Sequence, residues 1–239
     1  MPQVLPPVTS TCVTTGLTEG SVCSVCGQIL VPQRVVPKTP HTYQSEVTKA
    51  KYHKTGKIIK TCTVCGLRQK SSISRVESIT LSAKSYVYNK KRHTPKVTIT
   101  DKKGKVLQRD IDYMLTYPKG RKAVGTYQIK VAFIGKYAGT KTVKYKILPG
   151  VLSGLTAKAG SRSAKLSWKA VPGATHYVVY YSNTKKGGYE KLGRTTNTYA
   201  NMLQLESGKR YYFRVRPITV KETGQWNGPI SAPIKVIAK

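Results

Sequence analysis

Acidic residues are scarce. The 239-residue chain has 9 Asp and Glu against 42 Lys and Arg, a formal charge of +33. So few acids, scattered along the chain, leave little material for carboxylate catalysis. Asp110 and Asp112 are the only close pair, and their setting reads as a turn beside lysines, because a dyad needs a cleft and shifted pKa values. Histidine is rare as well: His41, His53, His93 and His176. No Ser-His-Asp order, phosphate-cradling glycine loop or His-Glu metal motif occurs, so the chain is expected to be non-enzymatic. No run of about 18 apolar residues exists to span a bilayer as a helix, and Met1 to Pro7 lack the basic-then-apolar order of a secretory leader. Phe and Trp number two each, whereas Tyr reaches 16, Gly 20 and Pro 13. That composition favours strands and turns and argues against an all-α fold.

Cysteine is absent after Cys65, so Cys12, Cys23, Cys26, Cys62 and Cys65 mark a separate N-terminal region. Within it Cys23-Ser24-Val25-Cys26-Gly27, preceded by Thr15-Gly16, is echoed by Cys62-Thr63-Val64-Cys65-Gly66, preceded by Thr55-Gly56. Two thiolates three positions apart can bite one tetrahedral metal, and the following glycine permits a turn that aims backbone N–H groups at sulfur. Each pair then needs two more ligands. Cys12 is the expected third ligand of the first pair, with His41 a candidate fourth. His41, His53, Cys62 and Cys65 make a candidate Cys2His2 set for structural zinc. His41 serves only one of them, so at most one site is complete within this chain. A disulfide within each pair is the competing chemistry in an oxidising compartment.

Downstream, apolar residues alternate with polar ones at Tyr127, Ile129, Val131 and Phe133, at Val143, Tyr145 and Ile147, and, beyond the breakers Pro149-Gly150, at Tyr211, Phe213 and Val215. Period-2 patterns of this kind predict half-buried antiparallel strands. The expected fold class is all-β: a small Cys-rich region over 1–75 followed by two antiparallel sandwiches over 76–148 and 149–239. The charge follows no such division, with 10 basic against 2 acidic residues in the first region, 17 against 4 in the second and 15 against 3 in the third. A sequence-specific DNA reader gathers its cations on one helix or arm, so nucleic acid is a poor fit. An even excess suits an extended polyanion. Tyr180, Tyr189, Tyr212 and Trp226 are candidate binding residues, since flat rings stack on pyranose faces or on a partner protein.

The stretch from Thr11-Cys12 through Cys23-Ser24-Val25-Cys26-Gly27 to His41-Thr42-Tyr43 resembles the Cys-rich zinc-ribbon-like repeats of large surface proteins of Gram-positive gut bacteria. The resemblance assigns His41 to the second repeat, places the first repeat's histidine upstream of Met1, and puts Tyr52 where the pattern has cysteine. Tyr86-Val87-Tyr88-Asn89, Thr94-Pro95-Lys96-Val97, Val124-Gly125-Thr126-Tyr127 and Gly135-Lys136-Tyr137-Ala138-Gly139 look like the Ig-like repeat of the same proteins, with Lys90 where glycine usually follows Asn. Leu166-Ser167-Trp168, Val171-Pro172-Gly173-Ala174 and Tyr211-Tyr212-Phe213-Arg214-Val215-Arg216 are similar to a bacterial fibronectin type III domain. In that likeness Trp168 lies in the core, and the Tyr211 hydroxyl bonds back to the chain near Leu205. The resemblance implies an extracellular or cell-surface spacer or adhesion segment, held by its charge to an anionic cell-wall polymer or glycan, or to another surface protein. Its alternatives are the accessory carbohydrate-binding part of a larger secreted enzyme and, less well supported, a nucleic-acid-binding zinc ribbon.

Overall fold

A computed structural model describes residues 1–239. The fold is all-β, with strands from Pro2 to Ile237 and no helix. The chain packs as two compact units, one of residues 1–78 with 100–113 and 133–139, the other of residues 79–99, 114–132 and 140–239. The division runs through the middle region.

In the first unit each Cys-rich repeat is a small antiparallel sheet. Pro2–Leu5, Gly20–Cys23 and Ile29–Val31 form the first, and Tyr43–Thr48, Gly56–Cys62 and Arg68–Ile73 the second. Both Cys-x-Val-Cys-Gly segments close as the same turn. Gly27 N–H donates to Cys23 O at 2.9 Å and Gly66 N–H to Cys62 O at 3.0 Å, and the two glycines sit at φ 74° and 72°, where a Cβ is disfavoured. The repeats also share a close backbone approach. A Cβ at Gly16 would run into Val8 O and Ser10 N, and one at Gly56 into Thr48 O and Ala50 N. This correspondence sets Cys12 and Tyr52 at equivalent places.

Apolar burial in these repeats is thin. Val25, Ile29, Leu30, Val31, Val35, Val47, Val64 and Leu67 are exposed, and the buried apolar side chains reduce to Cys12, Ala50, Cys62, Ile73 and Val76. Sheets this small cannot bury enough surface to offset chain entropy on their own. Two of the five buried apolar side chains are cysteines, so part of what little core the region has is also its chemistry.

In the middle region, Ser85–Val87, Thr140–Leu148, Gly125–Phe133 and Tyr113–Thr116 form a four-stranded sheet in that order, and Val76–Leu81 pairs with Val97–Asp101. The alternation expected of Gly125–Phe133 is realised: Ile129, Val131 and Phe133 are buried while Gln128 and Lys130 are exposed. Lys90 takes the place of a glycine in conformation too, at φ 64°, and Lys91 N–H donates to Asn89 Oδ1 at 2.9 Å, which holds the turn. Asp110 lies at a turn with φ 66°, and the Asp112 carboxylate accepts from Gln108 N–H at 2.9 Å, so this acidic pair serves the loop.

The C-terminal region is a two-sheet sandwich. Thr156–Gly160, Ser163–Ser167 and Tyr199–Met202 face a larger sheet built from Glu190–Thr195, His176–Ser182, Arg210–Lys221 and Gly224–Asn227, with Ile234–Ile237 also paired to Arg210–Lys221. Leu166, Trp168, Tyr177, Val179, Leu205, Tyr211, Phe213 and Val215 form its core. The Trp168 and Tyr177 rings meet edge to face at 5.3 Å. The Tyr211 hydroxyl accepts from Glu206 N–H at 3.1 Å, the backward bond expected of a tyrosine corner.

Candidate metal centre

The second Cys-x-x-Cys turn presents two sulfurs. Cys62 ends its strand and is buried, and Cys65 follows on the turn. Backbone N–H groups of Cys65 and Val64 point at the Cys62 sulfur. That hydrogen bonding, led by Cys65 N–H and working against burial, holds the Cys62 thiol down at about 6. Cys62 is therefore poised as a thiolate ligand near neutral pH.

The other two ligands arrive from the first repeat and the segment joining the repeats. Cys12 sits in a tight turn in which the Thr11 hydroxyl accepts from Val13 N–H at 3.2 Å and Thr14 N–H at 3.0 Å. Thr39 N–H donates to Thr11 O at 3.0 Å, so the segment leading to His41 is pinned to the Cys12 turn. Thr63 N–H donates to Thr42 O at 2.9 Å and fixes His41 beside the second knuckle. The outcome is a group of Cys12, His41, Cys62 and Cys65 whose ligand atoms all lie within 4.8 Å of one another. Cys12 Sγ is 3.7 Å from Cys62 Sγ, and Cys65 Sγ is 3.4 Å from His41 Nδ1. All five cysteines are free thiols, and 3.7 Å is far beyond the ~2.05 Å of a disulfide.

The electrostatics of the group favour a cation. Burial, helped by hydrogen bonds to Cys65 and Cys62, pushes the Cys12 thiol up to about 11, opposite to its neighbour Cys62. A thiolate already present makes the next one costly, unless a positive charge sits between them. The residues present thus form a group that can hold a metal ion.

The structure distributes the sequence-derived ligands differently from their expected sets. Cys12 stands with Cys62 and Cys65 in place of Cys23 and Cys26, because the loop carrying it reaches forward onto the next repeat. His53 lies outside the group. It adopts φ 58°, its ring packs on Tyr52 at 4.0 Å, and its N–H donates to Val76 O at 2.9 Å. Cys23 and Cys26 keep the knuckle geometry without a third ligand. Backbone N–H groups of Cys26 and Val25 lower the Cys23 thiol from its ordinary value, and Cys26 is exposed.

The candidate binding aromatics divide in two. On the outer face of the large C-terminal sheet, Tyr180 lies opposite Arg214 and Lys191, and Ser182 opposite Tyr212. Guanidinium groups occupy the ring faces, Arg214 over Tyr189 at 5.3 Å and Arg216 over Tyr180 at 5.8 Å, so those faces are already engaged. Trp226 is a different case: it is 7% exposed, and its indole N–H donates to Thr126 Oγ1 at 2.9 Å.

Residues 150–236 match the fibronectin type III domain family, a non-catalytic module that typically occurs outside cells. No curated protein matches the chain. Among solved structures, the sixth fibronectin type III domain of human fibronectin type III domain containing protein 3 is similar at 20% identity over 38% of this chain and 85% of its own, with a TM-score of 0.32. The fourth FNIII domain of a human protein shows 26% identity over 38% of this chain and 78% of its own, with a TM-score of 0.31. Titin domains A168–A170 align over 98% of both chains at 13% identity and a TM-score of 0.31. No helix is long and apolar enough to cross a membrane.

Proposed function

We propose that the chain is a non-enzymatic spacer and adhesion segment of a bacterial surface protein, stapled at its N-terminal end by structural zinc and held to anionic envelope polymer or glycan by its positive surface. The observation that carries the zinc reading is the geometry of the Cys3His group. Tetrahedral zinc, with Zn–S near ~2.3 Å and Zn–N near ~2.05 Å, requires S···S edges of about 3.8 Å and S···N edges of about 3.5 Å. Two of the six edges, Cys12 to Cys62 and Cys65 to His41, are 3.7 and 3.4 Å, and all six lie within 4.8 Å. Four protein ligands leave no open position for water or substrate, so such a zinc folds the chain and does no chemistry on a substrate. Because Cys12 belongs to one repeat and Cys62 and Cys65 to the next, the ion ties two poorly cored sheets into one body.

The excess of 42 basic over 9 acidic residues supplies the adhesion. Many exposed lysines, each weak, act together on a polyanion, and their combined hold falls steeply as salt screens them. The test is zinc and free thiol per chain on protein purified without chelator, with retention on an anionic wall polymer at low and high salt. One zinc per chain and salt-sensitive retention are expected. No zinc with oxidised cysteines removes the staple, and retention unchanged by salt removes the electrostatic hold.

A further inference from the structure

A cleft of about 530 Å³ lies within the second unit, between the outer face of the middle-region sheet and the Gly224–Asn227 strand. That volume is in the ~300–1,000 Å³ range of small-ligand sites. Sheet register builds one wall: Ser85, Lys146 and Thr126 stand in one row across three strands, and Lys144 lies opposite Gln128 two positions along the same face. Lys84 completes a set of three ammonium groups. No acidic residue lines the cleft, and none of the three lysines is in an ion pair. Like charges gathered around one concavity raise each other's energy, and an anion placed among them relieves it.

The opposite wall carries two amides around a hydrogen-bonded indole. Gln225 and Asn227 flank Trp226, and the Gln225 amide donates to Asn227 Oδ1 at 2.7 Å. The indole is fixed by its bond to Thr126, and Lys221, whose ammonium donates to Val124 O at 2.8 Å, lies 5.9 Å from the ring centroid. Cations and hydroxyls on one side, and amides with a pinned apolar ring edge on the other, match a polyhydroxylated ring that carries an anionic group. A bare phosphate uses the lysines alone, and a neutral sugar leaves them uncompensated.

We propose that this cleft is a recognition subsite for one acidic monosaccharide unit of an anionic polysaccharide, its carboxylate or sulfate held by Lys84, Lys144 and Lys146 and its hydroxyls by Gln225 and Asn227. The proposal rests on the polyanion-binding function above and makes it local: one unit is read at one place, while the remaining charge only accumulates polymer.

The test titrates the full chain with tetragalacturonate and follows the Trp226 indole N–H resonance, with maltotetraose and inorganic phosphate as comparison probes. A saturable shift with tetragalacturonate is expected, with at most a weak one from the other two. Lys144→Gln with Lys146→Gln should weaken binding about five- to tenfold, two partly exposed charge contacts being lost. Lys57→Gln with Lys60→Gln, which removes the same charge from the exposed second Cys-rich sheet, should change it less than twofold. Equal weakening by both double variants overturns the subsite and leaves the diffuse electrostatic function standing. So does polymer retention with no Trp226 response. An equal response to maltotetraose or to inorganic phosphate overturns the assigned chemistry. Absence of both retention and response overturns the subsite together with the function it rests on.

Discussion

Replacing Cys12 with alanine is expected to weaken metal binding at a knuckle fifty residues away by about two to three orders of magnitude. Cys12 is one of the four side chains grouped to hold the proposed zinc, and its sulfur lies 3.7 Å from Cys62 Sγ. Structural zinc is worth roughly 10–16 kcal/mol in small metal-folded units. A quarter of that is about 2.5–4 kcal/mol, so affinity should fall about 10²- to 10³-fold. Competition against a chromophoric chelator measures the loss directly, and cobalt substitution reports the number of thiolates through its sulfur charge-transfer band. Because the ion joins the two repeats, proteolysis of residues 13–40 should accelerate in the variant while the C-terminal sandwich stays resistant. His53→Ala is the matched control, since its ring packs on Tyr52 away from the sulfurs, and it should keep zinc at full affinity. A Cys12 variant that binds one zinc as tightly as the parent, beside a His53 variant that loses it, would refute this ligand set and make the ligands His41, His53, Cys62 and Cys65.

Metal loading should release protons. Cys12, pushed up to about 11 by burial, enters the site as a thiol at pH 7.5, whereas Cys62, at about 6, is already a thiolate. The Cys12 proton alone should therefore make affinity rise about tenfold per pH unit between pH 6.5 and 8.5, and a pH-independent affinity would contradict this assignment. The Arg75 guanidinium, 2.7 Å from Glu77, lowers that carboxyl below its ordinary value. Its stabilisation is present above the unfolded value of ~4.3 and is lost as pH falls through the lower folded value, so acid unfolding of Glu77→Gln should lack that component. Tyr211→Phe leaves Glu206 N–H without its acceptor and should cost about 1 kcal/mol in urea unfolding, with the m-value unchanged. Lys90→Gly should stabilise by up to about 1 kcal/mol: it relieves the ~1–2 kcal/mol cost of a left-handed Lys at φ 64° and gives back part as chain entropy.

The range of each interaction decides whether the sequence discloses it. The alternation of Tyr211, Phe213 and Val215 with Tyr212, Arg214 and Arg216 was legible because strand period and burial face are local properties, and the sandwich places the first set in its core. The repeated Cys-x-Val-Cys-Gly turn was legible for the same reason, since its hydrogen bonds close within five residues. The ligand set was not. Sequence spacing pairs Cys12 with Cys23, eleven residues on, but the first repeat buries little, and the Val8–Leu17 bridge anchors the base of the Cys12 loop and not its tip. The Thr39–Thr11 bond directs the Cys12 turn onto the following knuckle instead. Trp226 misleads similarly: alternation cannot show that Thr126, a hundred residues earlier, takes its indole N–H.

The forward reach of Cys12 also accounts for Tyr52, which reads as a defect in the second repeat. If each repeat passes its Thr-Cys ligand to the next, the cysteine at that place serves the site ahead of it. The second group has its four side chains without a cysteine at position 52, because Cys12 stands in it. Beyond the second repeat the chain enters the strand beginning at Val76, and Tyr52 bridges to it in parallel while its ring packs on His53. A cysteine there would have no knuckle to meet. Tyr52→Cys should therefore leave metal stoichiometry at one per chain, while disturbing the packing at Val76 enough to lower thermal stability of the first unit. A second bound metal would show that ligands are shared within repeats and would undo the forward-reaching arrangement.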